Sequence, residues 1–128
     1  MRREIAVIGA GSWGTALAIH VANKFPVRLW SHNREHIAEM QKLRLNERFL
    51  PEIPFPDTIS LFDDFEEAMS GATDILIAVP STAFSEIVNQ LKRINFTKLP
   101  PVISATKGLD HDTNGFLSDT FYQAFPEG

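Results

Sequence analysis

The stretch IAVIGAGSWGTALAIHVA, residues 5–22, contains the two local patterns that decide the fold. Its first four residues are apolar without alternation, which is typical of a parallel-sheet strand buried on both faces. From Trp13 onward the apolar residues recur with helical spacing. Gly9, Gly11 and Gly14 lie where one pattern gives way to the other. The stretch therefore predicts a strand, a glycine-containing turn and a helix.

The rest of the chain repeats this alternation of strand and helix. The pattern predicts strands at 4–9, 27–30, 58–62, 74–79 and 102–105. It predicts helices at 13–23, 33–44, 64–69, 116–124, and from a cap at Ser81 or Thr82 to about residue 94. Prolines at 51, 54 and 56 exclude a regular helix or a central strand from 45–57. The predicted fold class is α/β, a Rossmann-type doubly wound and mainly parallel sheet with helices on both faces.

Composition narrows the function classes. The chain has 128 residues, 44% of them hydrophobic and 22% charged, which suits one globular domain. The net charge of −4 gives no indication of nucleic-acid binding, and no run of apolar residues approaches the roughly 20 that a membrane helix needs. The absence of cysteine excludes thiolate chemistry from these residues. We expect a cytoplasmic protein with neither nucleic-acid nor membrane partners.

The glycines fit the pattern G-x-G-x-x-G between a strand and a helix. Gly9 permits a tight turn, Gly11 lets a pyrophosphate approach the backbone, and Gly14 lets the helix pack close to the strand. The helix N-terminus adds N–H groups and a partial positive charge. This context predicts a dinucleotide site, the alternative being a glycine-rich turn that binds no ligand.

Ser12 and Trp13 lie between the second and third glycines. Ser12 is expected to donate its hydroxyl or backbone N–H to a phosphate. The large Trp13 ring has two interpretations that the spacing leaves open, packing in the core and contact with the ligand.

The end of the second predicted strand carries the residues that select the cofactor. An Asp or Glu there would hydrogen-bond a ribose 2′-hydroxyl and repel a 2′-phosphate. The sequence instead has Ser31, His32 and Arg34. These residues favour NADP, with NAD also possible, unless His32 and Arg34 are simply solvated.

Two further segments end at the carboxyl edge of the predicted sheet, where open α/β sheets bind ligands. Pro80 and Ser81 follow the fourth strand, and Lys107 follows the fifth. Lys107 is suited to contact a phosphate or a reacting oxygen, although an isolated loop lysine is more often solvated.

Together these segments resemble the bacterial NAD(P)-dependent glycerol-3-phosphate dehydrogenase family. The resemblance rests on Gly9–Gly14 with Ser12 and Trp13, on Leu29-Trp30 with His32, on Asn46-Glu47-Arg48-Phe49-Leu50-Pro51, on Ala78-Val79-Pro80-Ser81, and on Thr106-Lys107-Gly108-Leu109.

The resemblance implies roles for individual residues. Ser12, Trp13 and His32 would contact the nicotinamide cofactor, and Lys107 would contact both cofactor and substrate. Residues 45–57 would form a loop beside the cofactor. The whole enzyme would interconvert sn-glycerol 3-phosphate and dihydroxyacetone phosphate by hydride transfer for phospholipid synthesis, with a homodimer as an open possibility.

The resemblance also places part of the chemistry outside this sequence. We expect residues 1–128 to be a single dinucleotide-binding domain. An all-helical substrate domain carrying the acid–base lysine would lie beyond Gly128, so no catalytic residue is assigned here. Two alternatives remain open at this point: the cofactor domain of a hydroxyacyl or hydroxy-acid dehydrogenase, and a non-catalytic module that senses a dinucleotide.

Overall fold

The computed structural model describes residues 3–94, 96 and 100–104. The strands are β1 (Ile5–Ile8), β2 (Val27–Trp30), β3 (Leu45–Asn46), β4 (Leu50–Pro54), β5 (Ile59–Phe62), β6 (Asp74–Ile77) and β7 (Val102–Ser104). The helices are α1 (Ser12–Ala22), α2 (Arg34–Leu43), α3 (Phe65–Met69) and α4 (Phe84–Arg93), with a 3-10 turn at Ser81–Ala83 before α4.

Five strands form one parallel sheet in the order β5-β2-β1-β6-β7. The chain builds outward from β1 through β2 to β5, then returns to the other side of β1 with β6 and β7. The strand order thus reverses between β1 and β6. In open α/β sheets the crevice outside the carboxyl ends of the strands at such a point is the usual ligand site.

Helices cover both faces of this sheet, and its central strand, β1, is therefore buried on both sides. In β1, Ile5 and Val7 pack in one apolar cluster with residues of α1 and α2. Ala6 and Ile8 pack in the other cluster with residues of α3 and α4. All four side chains are buried, as the run without alternation predicts. The predicted Rossmann-type fold class is confirmed.

Within the described residues the predicted elements are confirmed to within one or two residues at their ends, with one local correction. The predicted capping of α4 by Ser81 or Thr82 is wrong, since the N-cap is Ala83 and makes no side-chain cap hydrogen bond. The 3-10 turn takes up the residues after Pro80 instead. The predicted helix at 116–124 lies outside the described residues.

The proline-containing segment after α2 is more ordered than the sequence suggests. β3 and β4 pair antiparallel as a separate two-stranded sheet, with a register shift between Leu45 and Asn46. β4 is mostly exposed, which is compatible with the prolines at both of its ends. This hairpin brings residues 47–49 back towards the start of α1.

Candidate functional site

A cleft of about 640 Å³ lies at the carboxyl ends of β1 and β6, where the strand order reverses. This volume falls in the usual range for small-molecule and cofactor sites, roughly 300 to 1,000 Å³. Four parts of the chain line it: the glycine loop (Gly9–Gly14), the residues after β2 (Ser31, His32, Asn33), the hairpin turn (Arg48, Phe49), and the segment from Ala78 through Pro80 into α4 (Glu86, Ile87, Gln90).

Gly9 and Gly14 are required by close packing of the loop. Gly9 has φ +113°, and a Cβ there would overlap the carbonyl oxygen of Ala78. A Cβ on Gly14 would overlap the carbonyl oxygen of Gly9. These contacts confirm the steric reasons predicted for both residues, namely a tight turn and close approach of α1 to the strand end.

Gly11 differs from its two neighbours in the motif. It is the N-cap of α1 with ordinary extended backbone angles, φ −75° and ψ −172°. A Cβ built there meets nothing within 4 Å, so its side-chain position opens into free space beside the cleft. Fold packing within the described residues therefore gives no reason for glycine at this position. A bound pyrophosphate would give one.

Ser12 and Trp13 both line the cleft. The Ser12 hydroxyl donates a hydrogen bond to the carbonyl oxygen of Phe49 at 3.3 Å, so it ties the glycine loop to the hairpin turn. Trp13 is 43% exposed, which overturns the core-packing interpretation of this ring. Its contact with a cofactor stays a prediction.

The residues after β2 divide into two groups. His32 is exposed and lines the cleft, with its ring centroid 6.4 Å from that of Trp30. Arg34 is not among the lining residues, and its Nε pairs with Asp63 at 3.3 Å. The structure therefore places His32, but not Arg34, in the lining of the cleft, and the contact of either residue with a cofactor stays a prediction. Asn33 caps α2, since its Oδ1 accepts a hydrogen bond from the backbone N–H of His36 at 3.0 Å.

The remaining predicted site residues follow β6 and β7. Pro80 lines the same cleft as the glycine loop. Lys107 lies outside the described residues, so its expected contacts with cofactor and substrate stay predictions.

Sequence reasoning assigned no individual role to Arg48, Phe49 or Asn46, which the structure places in or behind the cleft. Phe49 is 48% exposed at the cleft, and its ring lies edge-on to that of His36 at 5.7 Å. Arg48 is the sole Arg or Lys among the described lining residues, and its guanidinium pairs with Glu39 at 3.4 Å. The sequence indicated these residues only as members of the segment 46–51, on which part of the family resemblance rests. Their position at the cleft follows from the pairing of β3 with β4 and could not be inferred from the sequence.

Two negative findings apply to the part of the chain that the structure describes. There, no cluster of three or more His, Cys, Asp or Glu side chains is arranged to hold a metal ion. In the same residues, no helix combines the length and apolar character needed to cross a membrane.

The parallel sheet with its reversal at β1 and β6, together with a glycine loop that opens a helix at that point, defines a Rossmann-type dinucleotide-binding domain. The family model described as NAD-dependent glycerol-3-phosphate dehydrogenase N-terminus matches residues 4–128. The chain belongs to this family.

Relatives and solved structures agree with this assignment. A curated relative from Edwardsiella ictaluri, named glycerol-3-phosphate dehydrogenase, NAD(P)+, is 45% identical over 122 residues, covering 94% of this chain and 36% of that protein. A crystal structure of glycerol-3-phosphate dehydrogenase from Coxiella burnetii superposes with a TM-score of 0.90 at 40% identity, covering 98% of this chain and 38% of the other. The yeast (Saccharomyces cerevisiae) glycerol-3-phosphate dehydrogenase, at 24% identity and a TM-score of 0.85, shares the fold over 97% of this chain and 39% of its own.

The chain thus spans little more than a third of the length of the relatives it matches. The family assignment favours the cofactor domain of the glycerol-3-phosphate dehydrogenase family over that of a hydroxyacyl or hydroxy-acid dehydrogenase.

Proposed function

We propose that this domain binds NADP or NAD and supplies the cofactor half of a glycerol-3-phosphate dehydrogenase. The observation that carries the proposal is the contrast within the glycine loop. Gly9 and Gly14 are packed against backbone, whereas the side-chain position of Gly11 faces open space at the N-terminus of α1. A glycine loop whose first and third glycines pack against backbone atoms, and whose second glycine has free space at its Cβ position, is suited to bind a pyrophosphate.

The residues present fit a dinucleotide. Gly11, the N-cap of α1, has no side chain that could cap the helix, and the partial positive charge of the helix N-terminus lies at the cleft lining. Exposed aromatic surface from Trp13 and Phe49 lies at the same cleft and offers faces for planar rings. Arg48 brings a guanidinium to the lining, but it pairs with Glu39 and Glu86 also lines the cleft, so side-chain charge there does not by itself favour an anionic ligand.

When bound, the nicotinamide supplies the hydride that interconverts glycerol 3-phosphate and dihydroxyacetone phosphate, and the protein supplies orientation and electrostatics. We propose that the glycine loop holds the pyrophosphate and that His32 lies beside the adenosine ribose. Lys107 would contact cofactor and substrate, as the resemblance implies. The acid–base lysine would lie beyond residue 128, as the resemblance implies.

The cellular setting follows from the same proposal. The product glycerol 3-phosphate would serve as the backbone precursor of phospholipids, and the protein would act in the cytoplasm on a small-molecule substrate. We further propose that it binds neither nucleic acid nor membrane, and that the whole protein could form a homodimer.

Calorimetric titration with NADPH and NADH tests the cofactor proposal. We expect NADPH to bind more tightly, because no acid follows β2 and His32 lies at the cleft. His32→Ala should weaken NADPH more than NADH. Arg34→Ala should have a smaller effect, because Arg34 is paired with Asp63 outside the lining. A clear preference of the unaltered chain for NADH would contradict the NADP assignment.

A second expectation concerns turnover. The chain should bind the cofactor yet show no oxidation of NADPH in the presence of dihydroxyacetone phosphate, because it matches 36% of the length of a curated relative and the resemblance places the acid–base lysine outside the matched part. Absorbance at the nicotinamide band measures this directly, with a full-length relative as the positive control. Turnover by this chain alone would show that the chemistry lies within residues 1–128.

A further inference from the structure

Asn46 is a completely buried polar residue behind the cleft, with 0% of its surface exposed. Its Nδ2 donates to the carbonyl oxygen of Ala10 and to Oγ1 of Thr15, each at 2.8 Å. Its Oδ1 accepts from the backbone N–H of Phe49 at 3.2 Å and lies 2.9 Å from Nε2 of His36. One side chain thus joins the glycine loop, α1, α2 and the hairpin turn.

The orientation of this amide is fixed by its partners. The carbonyl oxygen of Ala10 can only accept, so the NH₂ group of Asn46 must face it. Oδ1 then faces His36, which requires that Nε2 of His36 carries a proton and donates. Both amide hydrogens and the amide oxygen are used, so no polar capacity of the group is left for another role.

The contact with Ala10 bears directly on the glycine loop, because Ala10 lies between Gly9 and Gly11. A carbonyl oxygen turned towards the cleft would repel a pyrophosphate. Asn46 holds this oxygen towards the protein interior. A second link, from the Ser12 hydroxyl to the carbonyl oxygen of Phe49, joins the same loop to the same turn at 3.3 Å.

We propose that Asn46 is a positioning residue for cofactor binding, which holds the glycine loop and the 47–49 turn together in the arrangement that receives the pyrophosphate. This inference rests on the proposed function, since it assumes a dinucleotide in the cleft. Asn46 does not itself line the cleft, so it acts through Ala10 and Phe49. Its amide also fixes the turn that carries Arg48.

A purely structural role would have different consequences from a positioning role. The pyrophosphate is common to NADPH and NADH, so a displaced loop should weaken both by the same factor and leave their ratio unchanged. A general loss of stability should have no effect on affinity measured well below the unfolding temperature. Thr73→Val is the matched control, because Thr73 joins β6 to the start of β1 by hydrogen bonds with Glu4 away from the cleft-lining residues.

The experiment compares Asn46→Ala, Asn46→Asp and Thr73→Val in the full chain, with NADPH and NADH as titrants. Asn46→Asp keeps an oxygen that accepts from Phe49 and His36, but it replaces the NH₂ group that faces the Ala10 carbonyl by a second oxygen. This variant tests the same loss of the Ala10 hydrogen bond if Asn46→Ala does not fold. We expect each Asn46 variant to weaken both cofactors by about tenfold or more, because the Ala10 carbonyl loses its buried partner. Thr73→Val should bind both cofactors normally.

Amide hydrogen exchange of the ligand-free proteins gives an independent readout. Exchange should accelerate in residues 9–14 and 47–49 of the Asn46 variants, while β6 and α4 stay protected. Normal affinity in the Asn46 variants, or a uniform acceleration like that of a destabilised control, would overturn the positioning role. If the unaltered chain binds neither dinucleotide, the proposed function itself fails, and this result is distinct from a failure confined to the variants.

Discussion

Gly14→Ala is expected to lower the free energy of unfolding by about 3 kcal/mol, the upper part of the range for overpacked sites. The new Cβ would overlap the carbonyl oxygen of Gly9 and lie 3.0 Å from the carbonyl carbon. It would also lie 3.3 Å from the carbonyl oxygen of Ala78. These are backbone atoms of the β1 and β6 ends, so no side chain can rotate away to relieve the overlap. The helix, the loop or both strand ends must move.

The direction of this effect is diagnostic, because glycine to alanine within a helix ordinarily stabilises by up to about 1 kcal/mol. Gly11→Ala is the matched control, with the same chemical change three residues earlier where a Cβ meets nothing within 4 Å. Urea denaturation followed by circular dichroism measures both variants. Equal unfolding free energies for Gly14→Ala and Gly11→Ala would show that α1 does not pack against the strand end as described.

The sequence predicted those features of the fold that depend on local pattern. The uninterrupted apolar run of β1 required burial on both faces, and both faces are covered by helices. The spacing of Gly9 and Gly14 implied close approach of backbone to backbone, and the structure shows the atoms they approach. Such features are set by residues near one another in the chain, so periodicity and steric bulk suffice to infer them.

The features that were missed depend on contacts between distant segments. Asn46 is buried because three elements converge on it, and an asparagine at the start of a proline-containing segment gives no sign of this. Arg34 was assigned to the cofactor from its place after β2, whereas its ion pair at 3.3 Å with Asp63, which follows β5, could not be inferred from the sequence; its contact with a cofactor stays a prediction. The wrong prediction of a cap at Ser81 or Thr82 has a local cause instead, because the chain first makes a 3-10 turn after Pro80.

Gly11→Asp is expected to reduce the affinity for NADPH and NADH by a hundredfold or more while leaving the fold intact. Gly11 is the N-cap of α1, and Asp is a preferred N-cap residue that stabilises a helix N-terminus by a few tenths of a kcal/mol relative to Gly. The space at its Cβ is open, so the side chain is accommodated without overlap. Thermal stability should therefore stay the same or rise slightly.

The loss of affinity has two physical causes that act together. The carboxylate would occupy the space proposed for the pyrophosphate, and it would repel that anion by about 4 kcal/mol for one pair of unit charges 4 Å apart at the effective dielectric of a protein surface. It would also satisfy the helix N–H groups internally, so the helix N-terminus would no longer attract a ligand anion.

Gly11→Asn separates the two causes, because its amide has nearly the same size and caps the helix but carries no charge. We expect Asn to weaken the cofactor through occupied space alone and Asp to weaken it further through repulsion, with the difference shrinking as salt concentration rises. Calorimetric titration at two salt concentrations, with thermal unfolding on the same samples, provides all the required measurements. Unchanged affinity in the stable aspartate variant would place the pyrophosphate away from Gly11, and the glycine loop would then need another explanation for its open middle position.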